Sequence, residues 1–300
     1  MRTLGDGGPD VSVVGLGCNN FGGRTDFEGT RAVVDAAIDA GVTLFDTADV
    51  YSNGTSEEYL GLLLEDRRDR VVLATKFGMQ MPDGPDVPRV SRAYIRWALD
   101  HSLRRLRTDV IDLYQYHRPD GITPLEETLG ELSALVDEGK VRHIGISNVE
   151  PAQVEEAASI ARIASVQNRY SLVHREPEAE LLPTCERLGI GVLPYFPLES
   201  GLLTGKVARG ERPSEGRLAS DSTYERFASD EAFDRVERLQ QFADERGVSL
   251  LEVAIGGLAA MPAVACVIAG ATKPEQVRAN AQAGDWEPSA EDVATLRALP

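Results

Sequence analysis

Short apolar runs alternate with amphipathic segments along the whole chain. The runs are rich in Val and Ile, and most of their consecutive residues are apolar, which is typical of parallel strands buried on both faces. Strict alternation of eight strands with helices predicts a (β/α)8 TIM barrel, an α/β fold that forms a single domain over residues 1–300. The predicted strands are Val13–Leu16, Val42–Phe45, Val71–Thr75, Val110–Tyr116, Arg142–Ile146, Ile163–Gln167, Ile190–Pro194 and Ala263–Ile268.

Two of the intervening segments show helical periodicity clearly. After the fourth strand, Thr123 is predicted to be the N-cap of a helix, with Pro124 at its first position and Glu126 completing a capping box. Gly139 is predicted to end this helix. Apolar residues three and four apart form one face of each helix: Ile95, Ala98, Leu99, Leu103 and Leu106 in the helix before the fourth strand, and Leu125, Leu129, Leu132 and Val136 in the helix after it.

The longest irregular segment is Glu199–Ser229, which follows the seventh predicted strand. It is rich in Gly, Ser and Arg. Loops of this length inside a compact domain are usually functional. We therefore expect this segment to form part of the wall of a binding pocket.

One partial motif favours a different fold. The segment "VVGLGCNNFGG" begins like the dinucleotide-binding fingerprint G-x-G-x-x-G, with Gly15 and Gly17 in place. Asn20 stands where the third glycine belongs, and the residues that follow are a poor helix start. The barrel is therefore preferred to a Rossmann fold.

The charge balance restricts the class of partner. The formal net charge is −17 at pH 7, which argues against binding nucleic acid or an acidic membrane through general electrostatics. The cysteines, Cys18, Cys185 and Cys266, are far apart and form neither a disulfide framework nor a zinc motif. The N-terminal residues contain no apolar signal segment, and no apolar run is long enough to span a membrane. A cytoplasmic location is expected, and nothing in the sequence indicates an oligomer.

Polar side chains of complementary chemistry follow three successive predicted strands. Asp46 follows the second strand, and Tyr51 lies in the loop after it. Lys76 ends the third strand and His117 ends the fourth. Each residue alone could be structural, as a helix cap, a loop anchor, a solvated strand end or a satisfied histidine. Because the active sites of TIM barrels lie at the C-terminal ends of the strands, four such residues together predict a catalytic site.

These four side chains can polarise and protonate a carbonyl oxygen. A phenol has a pKa of about 10 in water, and a neighbouring ammonium such as Lys76 favours the phenolate and lowers that pKa. Asp46 would hold Lys76 in place and keep it charged, while His117 would donate a hydrogen bond to the substrate carbonyl. None of the four is a hydride donor, so the hydride must come from a cofactor.

At these positions the chain resembles the aldo-keto reductases. The segments "FDTADVY" with Tyr51, "ATK" with Lys76 and "IDLYQYHRPD" with His117 are similar to that family's motifs. Three further segments, "GKVRHIGISN", "YFPLESGLLTGK" and "VIAGATKPEQVRAN", are similar in the same order, so the resemblance covers nearly the whole chain. It implies an NADP(H)-dependent oxidoreductase that reversibly reduces an aldehyde or ketone to an alcohol. It also implies that Asp46, Tyr51, Lys76 and His117 are a catalytic tetrad, with Tyr51 as the proton donor.

The same resemblance implies how the cofactor is bound. Ser147, Asn148 and Gln167 would hold the nicotinamide carboxamide, and Tyr195 would stack on the nicotinamide ring. Phe196 replaces a small polar residue that related sequences often have. The other implied cofactor-binding residues are Gly17, Cys18, Asn19 and Asp46 near the first two strands, Pro197, Leu198, Gly201 and Lys206 in the loop used around the pyrophosphate, and Gly270, Thr272, Gln276 and Asn280 near the phosphate and adenine.

The helix after the eighth strand offers an anion-binding terminus. Thr272 is predicted to be its N-cap, with Pro274 just inside and Glu275 at the third position. Helix N-termini bind anions, and Lys273 lies beside the cap, so this is the expected site of the adenosine 2′-phosphate. Two departures from the family pattern keep NAD(H) open as the alternative to NADP(H), namely Ala279 in place of a common Glu and Gln276 in place of an Arg.

Two other functions stay open at this point. Metal-dependent hydrolases use the same barrel and place His, Asp and Lys at strand ends, so Asp46, Lys76 and His117 could be metal ligands. The chain has only four histidines and none near the first strand, so no metal is expected. The second alternative is an NADP(H)-binding regulatory or interaction subunit with little turnover, because an intact tetrad does not prove activity.

Overall fold

The computed structural model describes residues 1–299, in which a central parallel sheet alternates with helices. The strands are β1 (Arg2–Thr3), β2 (Asp10–Val11), β3 (Val14–Gly17), β4 (Leu44–Asp46), β5 (Val72–Phe77), β6 (Ile111–Tyr116), β7 (Val141–Ser147), β8 (Ile163–Gln167), β9 (Gly191–Val192) and β10 (Val267–Gly270). The α-helices are α1 (Phe27–Asp39), α2 (Thr55–Leu64), α3 (Arg92–Leu106), α4 (Leu125–Asp137), α5 (Pro151–Ile160), α6 (Leu181–Arg187), α7 (Asp221–Phe227), α8 (Asp230–Arg246), α9 (Leu250–Glu252), α10 (Pro274–Ala283) and α11 (Ala290–Ala298).

The strands from β3 to β10 form a closed parallel barrel. Each strand pairs with the next along the chain from β3 to β9, and β10 pairs with β3. The gap between β9 and β10 is closed by isolated bridges, which join Val192 to Val264 and Tyr195 to Ile268. This arrangement confirms the (β/α)8 fold predicted from the alternation of strands and helices.

The predicted strands agree with the barrel strands to within a few residues, with one main exception. β8 has the predicted bounds, and β5 extends two residues further, so that Lys76 lies inside the strand. β10 begins at Val267, whereas the apolar pattern predicted a start at Ala263. Ala263 has a φ of +61°, which breaks the extended run before β10 begins.

The helix stripes are confirmed, but the predicted start of α4 was wrong by one residue. Pro124 occupies the N-cap position, and Leu125 is the first helical residue. Thr123 is not the cap, because its side-chain hydroxyl donates to Oδ2 of Asp120 at 2.9 Å and its backbone N–H donates to Oδ1 of the same carboxylate at 2.8 Å. The helix ends as predicted, since Gly139 follows it with a φ of +73°.

The two ends of the barrel differ in chemistry. At the N-terminal end, the hairpin of β1 and β2 packs fully buried Leu4 against an apolar cluster inside the barrel that includes Leu44, Leu113 and Leu193. The C-terminal end carries the predicted polar residues. The segment Glu199–Ser229, predicted to be irregular, contains two short 3₁₀ turns, Glu199–Thr204 and Arg217–Ala219, as well as α7.

Candidate active site

The ammonium group of Lys76 lies at the centre of a polar cluster at the C-terminal end of the barrel. Lys76 is fully buried on β5. Its Nζ atom donates hydrogen bonds to Oδ2 of Asp46 at 2.7 Å and to the carbonyl oxygen of Thr47 at 2.8 Å. The hydroxyl oxygen of Tyr51 lies 3.3 Å from the same Nζ. The structure thus brings together the acid, the amine and the phenol that the sequence places at successive strand ends.

The turn that carries Tyr51 is held in an unusual backbone conformation. Ser52 and Asn53 both adopt the left-handed region, with φ of +51° and +53°, which costs free energy for residues other than glycine. Two contacts offset this cost. The Ser52 hydroxyl donates to the carbonyl oxygen of Phe21 at 2.9 Å, and Gly54 lets the turn approach Arg105, whose Cδ would lie 2.8 Å from a Cβ there. The turn therefore holds the phenol close to Lys76.

The carboxylate of Asp46 is bound by more groups than the sequence analysis predicted. Its Oδ1 atom accepts hydrogen bonds from Nε2 of Gln115 at 2.8 Å and from Nε2 of Gln167 at 2.9 Å. Gln115 is fully buried on β6 and fits inside the barrel because its neighbour on β7 is Gly145, where a Cβ would lie 2.8 Å from the Gln115 side chain. Two amides and one ammonium thus fix the carboxylate, and sequence reasoning did not identify Gln115.

Burial and charge act in opposite directions on the pKa values of this cluster. Burial alone would lower the pKa of Lys76, but the charge of Asp46 and the contact with Tyr51 outweigh it and raise that pKa. Burial raises the pKa of Tyr51, and Lys76 opposes this effect only in part. The lowering expected of Lys76 is therefore present, but burial outweighs it and the pKa of Tyr51 lies above its ordinary value. Lys76 stays charged and the Tyr51 hydroxyl keeps its proton, which is the state that a proton donor needs.

His117 is a neutral imidazole beside the phenol. It follows β6, and its ring centroid lies 6.1 Å from that of Tyr51, edge to face. Burial, and then the charges of Lys76 and Arg118, lower the pKa of His117 to about 3. Its Nδ1 atom is buried without a hydrogen-bond partner among the described residues. The ring can therefore offer an N–H to a substrate oxygen without carrying a charge.

The residues predicted to hold the nicotinamide carboxamide lie together and bind one another. Nδ2 of Asn148 donates to Oγ of Ser147 at 3.0 Å, and the hydroxyl of Tyr195 donates to Oδ1 of Asn148 at 2.7 Å. Asn148 has a φ of +57°, which turns its side chain into this arrangement. Gln167 differs from the expectation, because its Nε2 is already bonded to Asp46 and Gln115, and only its carbonyl oxygen is left to accept from a ligand.

One cavity of about 760 Å³ connects the polar cluster with the start of α10. Tyr51, His117 and Asp46 line it, and Lys76 lies behind them, fully buried. A volume of this order is typical of cofactor and substrate pockets. Every predicted cofactor-binding residue lines the same cavity: Gly17, Cys18, Asn19, Asp46, Ser147, Asn148, Gln167, Tyr195, Pro197, Leu198, Gly201, Lys206, Gly270, Thr272, Gln276 and Asn280.

The cavity wall after β9 is a strained turn held by a buried ion pair. Phe196, Glu199 and Ser200 all have positive φ, between +45° and +59°. The carboxylate of Glu199 is 1% exposed and accepts a hydrogen bond from the Ser171 hydroxyl at 2.7 Å, and it forms an ion pair with Arg169. The sequence analysis did not identify this ion pair, because nothing in the sequence distinguishes Glu199 from the other polar residues of the loop.

The N-terminus of α10 differs in detail from the prediction. Lys273, not Thr272, is the N-cap, and the third helical position is Gln276, not Glu275. The side-chain oxygen of Gln276 accepts from the backbone N–H of Thr272 at 2.8 Å and of Lys273 at 3.3 Å. The Lys273 side chain is exposed at the edge of the cavity.

Arg217 links the long segment to the opposite wall of the cavity. Its guanidinium donates to Oδ1 of Asn19 at 2.7 Å and to Oδ1 of Asn20 at 2.9 Å. It also lies over the ring of Phe196, 5.6 Å from the centroid. The segment therefore crosses the cavity between β3 and the strained turn, and this crossing was not foreseen from the sequence.

Residues 1–299 contain no candidate metal cluster and no candidate membrane-spanning helix. In that range no three His, Cys, Asp or Glu side chains are grouped so that they could hold a metal ion. Likewise, none of the helices described here is both long and apolar enough to cross a membrane.

Comparison with known proteins identifies a family. A sequence model described as "Aldo/keto reductase family" matches residues 13–300. A "Probable voltage-gated potassium channel subunit beta" from Oryza sativa subsp. japonica is 38% identical over 304 residues, covering 96% of this chain and 92% of that protein. The "Aldo-keto reductase YhdN" of Bacillus subtilis (strain 168) is 35% identical, covering 99% and 92%. The holo structure of the aldo-keto reductase AKR11C1 from Bacillus halodurans is similar with a TM-score of 0.84 and 33% identity, covering 99% and 95%.

Proposed function

The chain belongs to the aldo/keto reductase family of oxidoreductases, and we propose that it reduces an aldehyde or ketone to an alcohol, reversibly, with NADPH. The observation that carries the proposal is the 3.3 Å contact between Nζ of Lys76 and the hydroxyl oxygen of Tyr51. This contact lies beside a cavity that extends from Tyr51 to the start of α10. The substrate is accordingly a small carbonyl compound.

In the proposed reaction the tetrad supplies the proton. A nicotinamide cofactor held in the cavity would supply the hydride that the carbonyl carbon accepts. As the C=O π bond breaks, the oxygen takes the proton of the Tyr51 hydroxyl, and the ammonium of Lys76 stabilises the phenolate that is left. The neutral His117 donates a hydrogen bond to the same oxygen and orients the carbonyl. Asp46 touches none of the reacting atoms and acts by holding Lys76.

The cavity fits a phosphate-bearing dinucleotide. The start of α10 presents the positive end of a helix, and Lys206 and Lys273 are exposed along the same cavity. Gly201 has a φ of +112° and open space where a Cβ would lie, which leaves room for a close backbone approach. Ser147, Asn148 and the carbonyl oxygen of Gln167 would hold the carboxamide, with Tyr195 beneath the ring.

Steady-state reduction of a panel of simple aldehydes tests the reaction, with Tyr51→Phe as the matched variant. Removing the proton donor should lower kcat by about 10²- to 10⁴-fold, the usual contribution of general acid catalysis. The dissociation constant for NADPH, from fluorescence titration, should stay within about twofold, because the phenol contributes one hydroxyl to a large site. Unchanged turnover in Tyr51→Phe would refute the assigned role.

The preference for NADP(H) over NAD(H) has its own test. Lys273→Gln removes the exposed ammonium beside the start of α10 and should weaken NADPH binding by about tenfold, as expected for one charge-assisted hydrogen bond. NADH lacks the 2′-phosphate and should bind both proteins alike. An equal loss for both cofactors would contradict this placement of the phosphate.

A regulatory role is the second candidate, favoured by the similarity to the rice protein described as a probable channel subunit. A subunit of that kind would bind NADPH and turn over little. Tight NADPH binding combined with kcat values that do not change in Tyr51→Phe would support it. A Tyr51-dependent turnover would favour the enzyme.

A further inference from the structure

The cavity carries a charge opposite to that of the whole chain. The chain has 48 acidic residues against 31 Lys and Arg. Among the described residues, only two acidic side chains, Asp46 and Glu215, line the cavity, and Asp46 is neutralised by Lys76. An excess of cationic groups in an acidic protein indicates anionic ligands. The cationic residues that line the cavity are Arg24, Arg118, Lys206, Arg217, Arg226 and Lys273.

The proposed cofactor does not account for all of these cations. Lys206 and Lys273 lie along the part of the cavity assigned to its phosphates. Arg226 adjoins Phe227, whose ring packs against Phe196 next to Tyr195, and Arg118 lines the same cavity. Arg118 directly follows His117, and its charge helps to lower the pKa of that imidazole. Arg118 and Arg226 also oppose the rise in the pKa of Tyr195 that burial causes, so both are close to the predicted nicotinamide platform.

Neither arginine is neutralised by an acidic side chain of the described residues. Both are exposed, and within residues 1–299 neither forms an ion pair with a carboxylate. The neighbouring Arg169 and Arg212 differ, since they pair with Glu199 and Asp221 respectively. The guanidinium of Arg226 lies over the ring of Phe227, 5.2 Å from the centroid. Within residues 1–299, two guanidinium groups without a carboxylate partner thus line the cavity that His117 also lines.

We propose that the substrate carries, besides its carbonyl, an anionic group that Arg118 and Arg226 bind at the mouth of the cavity. This inference rests on the proposed reduction and adds the substrate class. A guanidinium matches the geometry of both a carboxylate and a phosphate with paired N–H donors. The anion is therefore a carboxylate or a phosphate ester, held while the carbonyl oxygen points towards Tyr51 and His117.

Matched substrates test the anion site. 4-Carboxybenzaldehyde and its methyl ester differ in charge and by one methyl group, and glyceraldehyde 3-phosphate with glyceraldehyde gives the phosphate pair. The wild-type protein should favour at least one anionic member by about tenfold or more in kcat/KM, a value typical of a hydrogen-bonded charge. The preferred pair identifies the anion. The preference should fall with added salt, because exposed charges are screened.

The variants Arg118→Gln and Arg226→Gln remove the two charges singly. Each should reduce the anionic-to-neutral ratio of kcat/KM by about three- to tenfold. Arg31→Gln is the control, since Arg31 is exposed on α1 and pairs only with Glu28. It should leave the ratio unchanged. No preference in the wild-type protein, or a ratio that neither variant alters, would overturn the inference.

A binding measurement separates this inference from the proposed reaction. 4-Carboxybenzyl alcohol and its methyl ester are titrated calorimetrically into the protein with NADPH present. If aldehydes are reduced without charge preference and the acid binds no better than the ester, the anion site is wrong and the reductase activity stands. If no aldehyde is reduced but the acid binds tighter in an Arg118-dependent manner, the anion site stands and the reductase assignment fails.

Discussion

Gln115 donates a hydrogen bond of 2.8 Å to the carboxylate of Asp46, on the oxygen opposite to the one that binds Lys76. The Lys76 ammonium is therefore positioned by the carboxylate of Asp46, and Gln115 fixes that carboxylate through its other oxygen. This arrangement resembles the way metal ligands are oriented by the groups that bind them. It makes the position of Lys76 depend on a residue that touches neither the substrate nor the cofactor.

Gln115→Leu should therefore reduce turnover without weakening cofactor binding. Losing one hydrogen bond to a buried carboxylate costs about 1.5–3 kcal/mol, and part of that cost appears as a less well-placed ammonium. We expect kcat to fall by about tenfold, with the NADPH dissociation constant changed by less than about twofold. Gln241→Leu, on the exposed face of α8, is the control. A drop in NADPH affinity equal to the drop in kcat would indicate general distortion instead.

Glu199→Gln should weaken cofactor binding and also destabilise the fold. Removing one partner from a buried ion pair leaves Arg169 without its counter-charge, which costs about 3–5 kcal/mol in buried sites. The turn at Phe196–Ser200 has positive φ at three positions and relies on that pair. We expect about a tenfold rise in the NADPH dissociation constant, measured by fluorescence, and a lower midpoint in urea.

The matched control for this prediction is Glu155→Gln. Glu155 forms an exposed ion pair with Arg187, and such pairs contribute about 0–1 kcal/mol. The stability and the NADPH affinity of Glu155→Gln should match those of the wild-type protein. If both variants behave alike, the buried pair does not support the turn.

The barrel, and the position of the candidate tetrad at its C-terminal end, were predictable for a simple physical reason. Parallel strands buried on both faces are apolar runs, so a polar residue at the end of each run is conspicuous. Asp46, Lys76 and His117 were found in this way. Gln115 was missed, although a signal was present. It lies near the end of β6, two residues before His117, in a segment that is otherwise mostly apolar.

The predicted starts of α4 and α10 were wrong because two local interactions compete at each helix N-terminus. Thr123 and Thr272 both look like N-caps in the sequence, yet each helix starts one residue later. In each case a side chain from another position, Asp120 or Gln276, accepts the backbone N–H of the threonine. The bond from Arg217 to Asn19 spans 198 residues, and no local pattern could indicate it.

The stability of the fold should fall as the pH falls below about 6.5, and His117 should account for part of the loss. Its folded pKa of about 3 lies below the unfolded value of about 6.5, so the unfolded chain binds a proton that the folded chain refuses. The contribution is complete above pH 6.5 and is lost at about 1.4 kcal/mol per pH unit below it. His117→Asn should lose about 2 kcal/mol less than the wild-type protein between pH 6.5 and 5.

Urea unfolding at several pH values measures this difference. His143 and His174 also have lowered pKa values, caused first by burial. Both histidines are present in the wild-type protein and in His117→Asn, so their contributions to the pH dependence cancel when the two proteins are compared. Equal slopes for His117→Asn and the wild-type protein would show that the imidazole already accepts a proton in the folded state.

The contribution of Asp49 to the stability of the fold should change with pH in the opposite direction, falling as the pH rises. Both of its carboxylate oxygens are buried without a hydrogen-bond partner among the described residues. Its backbone N–H donates to the carbonyl oxygen of Lys76 at 3.1 Å. Burial, and then the charge of Glu57, raise the pKa of Asp49 well above its usual value. The folded protein therefore keeps a proton that the unfolded chain releases above about pH 4.

Because the folded pKa is raised, the stability contributed by Asp49 is complete below the unfolded pKa and is lost as the pH rises through the folded pKa. Asp49→Asn replaces the acid with a neutral side chain of nearly the same shape, so that loss should disappear. We expect the unfolding free energy of the variant to rise relative to the wild-type protein by up to about 1.4 kcal/mol per pH unit across that window. Urea unfolding from pH 4.5 to 8 measures it. Asp39→Asn, at the exposed end of α1, should show no such trend, and a flat difference for Asp49→Asn would mean that the carboxyl is ionised and hydrated in the folded protein.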